Sequence, residues 1–206
     1  PNDYLDGNWT IECWFNGASF PVDIKGLISL DYDGGTGSSH NAMNFGVTNG
    51  SMALLVSSDV TSSWDVVNTT GGSPSLDTWH HTAVVFNGSA YKVYLDGSEV
   101  ISVTSSTTVA SQASSEIIVG TTADSNTSQA WDGYIDEVRV SSVARYTGAF
   151  TPSESAFVTD SDTKLLLHMD GANDGTVFTD SSASTIPPRH SITANGHVKN
   201  VRSVGN

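Results

Sequence analysis

A carboxylate inside a strand-like segment is the residue of this sequence most suited to chemistry. Asp136 lies in the run 134–140, whose β-branched and aromatic content favours a strand. With a period of two, Asp136 shares a face with Tyr134, Val138 and Val140, which we expect to be the core face. A carboxylate there must be paired, hydrogen-bonded or bound to a cation. The sequence therefore predicts either a structural aspartate or a calcium ligand at this position.

Polar loops beside predicted strands supply a second group of candidates. One loop begins with Asp-x-Asp-Gly, which is typical of calcium loops, but no glutamate occupies the twelfth position and an EF-hand is excluded. Two tryptophans lie in or beside other loops, where a flat ring can stack on the C–H face of a sugar. Solvated loops and local packing are the alternatives, and we expect Trp14 and Trp79 in the core or on a sheet surface. The candidate ligand-binding residues of this rim are Asp31, Asp33, Trp64, Asp124, Asn126 and Trp131.

The charge of the chain limits its partners. Eight Lys and Arg residues stand against 22 Asp and Glu residues, which gives a formal charge of −14. Nucleic acids require the opposite sign, so we exclude them as partners, and binding to an anionic membrane surface is disfavoured for the same reason. Divalent cations and neutral sugars remain compatible, and solubility alone is the other explanation of the acidic excess. The sequence has no apolar run long enough for membrane insertion.

Short apolar runs separated by Ser, Thr, Asn and Gly predict an all-β fold. Hydrophobic residues make up 37% of the 206 residues, charged residues make up 15%, and no long segment has helical periodicity. Tight turns at Asn49-Gly50, Asn87-Gly88 and Asp96-Gly97 predict β-hairpins. A polar loop is expected at 68–75. The predicted strands are 10–15, 26–30, 41–47, 51–57, 79–86, 91–95, 99–103, 116–120, 131–140, 164–169 and a last short one near 191–194.

Several motifs keep a fixed order along residues 9–152. They are Trp-Thr-Ile-Glu-Cys-Trp-Phe at 9–15, Asp-Thr-Trp-His-His-Thr-Ala-Val-Val at 77–85, the run 91–97, Ile-Val-Gly at 118–120, Gly-Tyr-Ile-Asp-Glu-Val-Arg-Val at 133–140 and Ala-Arg-Tyr at 144–146. Together they resemble the laminin-G-like and pentraxin-like branch of the concanavalin-A-like jelly rolls. That resemblance implies an antiparallel two-sheet jelly-roll sandwich, frequently a bound calcium ion, and ligand binding without catalysis.

The C-terminal segment resembles the beginning of such a domain. Its motifs are Leu-Leu-Leu-His-Met-Asp-Gly at 165–171, Phe-Thr-Asp-Ser-Ser at 178–182 and Ile-Thr-Ala-Asn-Gly at 192–196. An unpaired strand at 165–169 would expose a sheet edge. We therefore expect it to complete a sandwich, either in its own chain, as in a permuted domain, or in a neighbouring copy. The predicted organisation is a jelly roll at 1–152, a connector at 153–163 and tail strands at 164–206.

The resemblance also implies where calcium would bind. In related domains an Asp at the end of the first strand, an Asp of a nearby loop and an Asp of the last strand converge on one ion. The matching positions here are Asp170, Asp180 and Asp136. Carboxylates are ligands that calcium prefers, but a buried hydrogen-bond network of these aspartates is the alternative.

The same fold also houses glycoside hydrolases, which hold two carboxylates across the sugar. Their Glu-x-Asp-x-x-Glu run is absent from this sequence, and the adjacent Asp136 and Glu137 would point to opposite faces of a strand. Gly-x-Ser-x-Gly, P-loop and Cys/His zinc patterns are also absent. We therefore predict that the protein is not an enzyme.

Two C-terminal features are similar to repeats of phage and marine bacterial surface proteins. They are Ala-Arg-Tyr-Thr-Gly-Ala-Phe-Thr-Pro at 144–152 and the Leu-Leu-Leu-His run that follows. The similarity implies an extracellular or virion-surface module, such as a fibre, decoration or adhesin component. Such a module would recognise a glycan or host surface through its rim loops, with calcium as a cofactor. The alternative is a purely structural assembly unit linked to other copies of itself through its C-terminal strand.

Overall fold

A computed structural model describes residues 5–31, 41–59, 64–110, 116–122, 127–182, 192–194 and 198–200. A 3-10 turn at Thr127–Gln129 is the single helical element in these ranges, and no helix there is long and apolar enough to cross a membrane. The strands are β1 (Trp9–Gly17), β2 (Lys25–Asp31), β3 (Asn41–Thr48), β4 (Ser51–Val56), β5 (Val67–Gly71), β6 (Trp79–Phe86), β7 (Ala90–Leu95), β8 (Ser98–Thr104), β9 (Glu116–Val119), β10 (Gly133–Ser141) and β11 (Thr163–Leu167).

The strands pair antiparallel in two sheets. One sheet has the order β11-β10-β1-β6-β7-β8, and the other has the order β5-β4-β3-β2-β9. The prediction of an all-β, antiparallel two-sheet sandwich is confirmed. A loop was expected at 68–75, but part of it belongs to β5, which pairs with β4 from Val67 to Gly71. Its Asn-Thr-Thr sequence has no apolar alternation, so pairing along the sheet edge decides its conformation.

The core fills the space between the two sheets. Trp9 at the start of β1 is fully buried, and its ring centroid lies 6.0 Å from those of both Phe86 and Tyr91. Alternate residues of β1 continue this layer through Ile11 and Phe15, which are also fully buried. The other residues of β1 therefore point to the outer face of the six-stranded sheet.

A β-bulge interrupts β10 at Glu137. The register of β10 against β1 shifts between Asp136 and Arg139, so that two residues of β10 stand opposite one residue of β1. Glu137 has a φ of 52°, in the left-handed region that non-glycine residues rarely adopt. Its carboxylate accepts hydrogen bonds from Phe157 N at 2.7 Å and interacts with His168 Nδ1 at 2.7 Å. These contacts hold the strained residue in place.

Because of the bulge, the side chains of β10 do not all point to the face that the sequence predicted. Val138 and Val140 are fully buried in the core, as expected, but Tyr134 is 52% exposed. Asp136 pairs with Trp14 and therefore lies on the outer face. The prediction that all four residues share the core face is wrong because an inserted residue reverses the alternation, and a strict period of two cannot reveal an insertion.

The C-terminal strand completes the six-stranded sheet within its own chain. β11 pairs with β10, and Leu166 stands opposite Arg139. The other edge of β11 is partly covered, because Ser181 N donates to Leu166 O at 2.8 Å and Asp180 forms a bridge with Leu167. The sticky edge expected for an isolated strand is thus paired on one side and shielded on the other. The domain boundaries at 152 and 163 stay a prediction.

Residues 142–160, termed the strap, cross the outer face of the six-stranded sheet. Arg145 N donates to Thr10 Oγ1 at 2.9 Å, and Phe150 N donates to Gly97 O at 3.0 Å. The rings of Tyr146 and Phe150 stack at 3.6 Å. Together with Ala144 they pack on an apolar patch of the sheet. The strap covers the central part of the outer face.

Candidate functional site

A buried ionic cluster around Glu12 lies beneath the strap. Glu12 is fully buried, with Oε1 2.8 Å from Arg139 Nε and Oε2 2.6 Å from Tyr146 Oη and 3.1 Å from His81 Nε2. Burial by itself raises the pKa of Glu12, but the hydrogen bond from His81 and the charge of Arg139 outweigh it and hold the pKa below 4.5. Because solvent cannot reach the Glu12 carboxylate, this cluster fastens the strap and does not act on a ligand.

Two of the three predicted calcium ligands interact electrostatically. Burial, together with the negative charges of Glu137 and Asp170, raises the pKa of Asp136 to about 6. The hydrogen bond from Glu137 N to Asp136 Oδ1, at 2.9 Å, and the nearby His168 act in the opposite direction. Burial and the neighbouring carboxylates thus disfavour the ionised form of Asp136.

The third predicted calcium ligand is engaged in hydrogen bonds. Asp180 is buried, its Oδ1 accepts from Leu166 N at 3.1 Å and Ser182 N at 2.8 Å, and its Oδ2 accepts from Ser182 Oγ at 3.0 Å. These bonds match the buried-network alternative. No group of three His, Cys, Asp or Glu side chains in the part of the chain that the structure describes could hold a metal ion. Calcium at Asp136, Asp170 and Asp180 therefore stays a prediction.

Trp131, one of the predicted sugar-binding aromatics, is packed against the end of the core. Its ring centroid lies 5.6 Å from that of Phe15 and 6.1 Å from that of Phe20. Its Nε1 donates to Asn16 O at 3.3 Å. The half-buried indole thus has both its ring and its polar atom engaged, which matches the local-packing alternative.

The other predicted rim residues lie in the five-stranded sheet and its connections or outside the described ranges. Trp64 is half-buried between β4 and β5. Asp31 is buried at the end of β2, where it pairs with β9. Asp33, Asp124 and Asn126 lie outside the described residues. A ligand-binding role for these residues stays a prediction.

A pair of exposed aromatic rings occupies the end of the outer face. Trp79 opens β6 and Tyr134 lies near the start of β10, and both pair with Asn16 of β1, one from each side. Their ring centroids are 6.3 Å apart and their planes are inclined by 37°. Trp79 is 45% exposed and Tyr134 is 52% exposed. We term Trp79, Asn16 and Tyr134 the aromatic platform.

The platform combines apolar and polar surface in one row. Asn16 follows the core residue Phe15, so its side chain points outward between the two rings. That side-chain amide forms no hydrogen bond with any residue the structure describes. Tilted rings can contact the C–H faces of a sugar, and an amide can donate to and accept from its hydroxyl groups. The platform therefore has the chemistry of a shallow carbohydrate-binding surface.

Acidic residues border the platform. Asp77 and Asp132 are exposed, and each precedes one of the aromatic residues by two positions. The Asp132 carboxylate accepts from Ser19 Oγ at 2.7 Å. Asp136 follows Tyr134 by two positions on the same face of β10, about 7 Å along the strand. The surroundings of the platform are thus negative.

Sequence reasoning missed this platform for two reasons. Trp79 was expected in the core or on a sheet surface and was not a candidate ligand-binding residue, and Tyr134 was assigned to the core face. The pairing register that places both beside Asn16 is a tertiary property that no local pattern encodes. Asn16 could have been found from the sequence, because alternation along β1 predicts that a polar residue directly after Phe15 points its side chain outward.

Solved structures with the same fold include carbohydrate-binding domains. A candidate carbohydrate binding protein from Bacteroides ovatus has a TM-score of 0.60 at 16% identity, covering 88% of this chain and 51% of the other. The CBM40 of the Ruminococcus gnavus IT-sialidase has a TM-score of 0.57 at 14% identity, covering 70% and 80%. The Trypanosoma rangeli sialidase has a TM-score of 0.51 at 13% identity, covering 69% and 22%. The chain thus spans about half of the first protein and about a fifth of the sialidase.

The sequence comparisons agree with the fold. No curated protein sequence matches the chain. The Laminin_G_3 profile, described as the concanavalin A-like lectin/glucanases superfamily, matches residues 1–149. That range contains β1 to β10 and both aromatic residues of the platform. The chain therefore belongs to the Laminin_G_3 family of the concanavalin A-like lectin/glucanases superfamily.

Proposed function

We propose that the protein is a non-enzymatic carbohydrate-recognition module and that the aromatic platform is its sugar-contacting surface. The observation that carries the proposal is the exposed Trp79–Tyr134 pair, whose ring centroids are 6.3 Å apart. Neighbouring exposed aromatic rings on a sheet are costly in water and typically mark a binding site. The polar side chain of Asn16 between them supplies the hydrogen bonds that would orient a hydroxylated ligand.

The carboxylates near the platform support binding without catalysis. A glycosidase holds its two carboxyl groups about 5–9.5 Å apart across the sugar. Asp132 and Asp136 are separated by four positions, which corresponds to about 13 Å in an extended strand. Glu12, on the same face of the sheet, is fully buried under the strap. None of these carboxylates forms the pair that hydrolysis requires.

The proposed setting is the outside of a cell or of a virion. Structural neighbours named as a carbohydrate binding candidate and a CBM40 support a glycan partner. Calcium is proposed as a ligand of Asp136, Asp170 and Asp180, and a cation would relieve the repulsion between the first two. The alternative, an assembly unit linked through its C-terminal strand, has less support because β11 pairs with β10 of its own chain.

Glycan-array binding of platform variants tests the proposal. The array would be probed with wild type, Trp79→Ala and Tyr134→Ala, each with calcium and with EDTA. Since each ring is about half exposed, truncation should leave the thermal unfolding midpoint nearly unchanged but weaken binding by at least tenfold. Loss of binding in EDTA would support the calcium proposal.

Trp64→Ala is the matched control, because it removes an indole from the rim that the sequence predicted. Its binding should equal that of wild type. If Trp64→Ala abolishes binding and Trp79→Ala does not, recognition belongs to the rim and the platform assignment is wrong. Release of reducing sugar from a polysaccharide would contradict the non-enzymatic assignment.

A further inference from the structure

The negative charge around the platform limits the class of sugar that it can bind. We propose that the platform selects amino sugars, with the sugar ring against Trp79 and Tyr134 and the protonated amine held by Asp136 and its acidic neighbours. This inference rests on the proposed function and adds a substrate class to it. The juxtaposition that carries it is an exposed aromatic pair bordered by carboxylates on the same sheet face.

Basic side chains of the described residues are engaged away from the platform. Two arginines lie in or beside the Glu12 cluster under the strap, and Lys92 pairs with Glu99 near the opposite sheet edge. Lys25 donates to Ser128 O at 2.8 Å, and Lys199 lies 3.3 Å from a carboxylate of the tail. Lys164 lies on β11 near the far end of β10, roughly 20 Å along the strand from Tyr134. None of these lysines and arginines pairs with a carboxylate that borders the platform, and the basic group that acts on Asp136 is His168, whose Nδ1 lies 2.7 Å from Glu137 Oε1.

Asp136 is the carboxylate best placed to hold an amine. It lies on the outer face two positions from Tyr134, and its Oδ2 accepts no hydrogen bond from any residue that the structure describes. A protonated amine would donate a charge-assisted hydrogen bond to Oδ2.

The aromatic rings favour the same ligand. A cation above the face of Trp or Tyr is attracted by the negative face of the ring, and this attraction adds to sugar stacking. A uronate or sulfated sugar would instead meet carboxylates at Asp132, Asp136 and Asp77, and no lysine or arginine of the described residues pairs with these carboxylates. The same surface should therefore reject anionic glycans.

Three β-1,4-linked hexasaccharides test the selection. Hexamers of glucosamine and of N-acetylglucosamine differ only in the acetyl groups that remove the charge, and a hexamer of a uronic acid carries the opposite sign. Isothermal titration calorimetry would be performed in EDTA, because calcium and the amine would compete for Asp136; if the sugar binds only when calcium is present, amine selection is wrong and the calcium proposal stands. The glucosamine hexamer should bind at least tenfold more tightly than the acetylated one, and the uronate should not bind. Salt at 0.5 M should remove most of this preference, because it screens exposed charges.

Charge-neutralising variants locate the amine. Asp136→Asn and Asp132→Asn should each reduce the preference for glucosamine severalfold, while their thermal unfolding shows that they fold. Glu99→Gln is the matched control, since it removes one negative charge on β8 at the opposite edge of the sheet. The preference of this control should equal that of wild type.

Opposite outcomes separate the two proposals. If the neutral hexamer binds as tightly as glucosamine and Trp79→Ala abolishes both, the platform stands and amine selection is wrong. If glucosamine binds equally to wild type and Trp79→Ala, its binding is non-specific attraction to an acidic protein and both proposals fail for this ligand. Tight uronate binding, or a preference that survives both Asp→Asn variants, would also overturn amine selection.

Discussion

Substituting Glu12 by Gln tests whether the buried ionic cluster holds the strap on the sheet. The substitution keeps the shape of the side chain but removes the charge that compensates Arg139. Glu12 Oε1 lies 2.8 Å from Arg139 Nε and 2.7 Å from Arg139 Nη2, and both side chains are largely or completely buried. Removing one partner of such a pair leaves an uncompensated buried charge, which costs about 3–5 kcal/mol of unfolding free energy.

The pH dependence of this loss has a defined sign. The pKa of Glu12 in the folded protein is below its ordinary value of 4.5, so the contribution of its ionised form is complete above about pH 4.5. It is lost as the pH falls through the lowered folded pKa, where wild type also becomes neutral at this position. The difference between wild type and Glu12→Gln should therefore be full at pH 7 and should shrink at pH values below 4.5.

Urea unfolding followed by tryptophan fluorescence measures the difference at pH 7 and at pH 3.5. Glu99→Gln is the control, because its partner Lys92 lies 2.6 Å away but both side chains are partly exposed. This exposed pair should be worth at most about 1 kcal/mol. The reasoning is refuted if Glu12→Gln loses no more stability than Glu99→Gln, or if its loss is the same at both pH values.

Two further substitutions test the turns and the sheet edge. Gly97→Ala should lower the free energy of unfolding in urea by about 2–4 kcal/mol, because φ is 77° and the new Cβ would collide with the Phe150 carbonyl of the strap. Gly50→Ala is the control, since φ is 74° but no described atom lies within 4 Å of the new Cβ, and it should cost about 1 kcal/mol. Equal losses in the two variants would contradict the collision. Asp180→Ala should lower the free energy of unfolding by about 2–4 kcal/mol and speed hydrogen exchange of the Leu166 amide, because it removes three buried hydrogen bonds. If EDTA produces the same change in wild type, bound calcium and not hydrogen bonding orders this edge of the sheet.

Much of the fold could be predicted because its signals are local. Asn49-Gly50 and Asp96-Gly97 form tight turns with left-handed residues, as their types demand, and the apolar alternation of β1 places Ile11 and Phe15 in the core. The family motifs at 9–15 and 133–140 fall on the central strands β1 and β10. These features depend on a few consecutive residues and need no knowledge of pairing.

The candidate site could not be predicted because it depends on register. One inserted residue, Glu137, moves Tyr134 and Asp136 to the outer face, and only the pairing with Asn16 brings Trp79 beside Tyr134. Trp131 is in a loop-like sequence and yet packs on the core. Sequence patterns assign residues to strands more reliably than they assign side chains to neighbours across strands.

The family match ends at residue 149, whereas β11 begins at Thr163. An excised fragment that stops at the matched boundary would leave the backbone amides and carbonyls of Val138 and Val140 without their neighbouring strand. Such a fragment would be prone to self-association through the unpaired edge of β10. A fusion protein or an expressed fragment should therefore retain the chain at least through Ser182, because Ser181 N donates to Leu166 O on the outer edge of β11 and Ser182 N donates to Asp180 Oδ1 beside it.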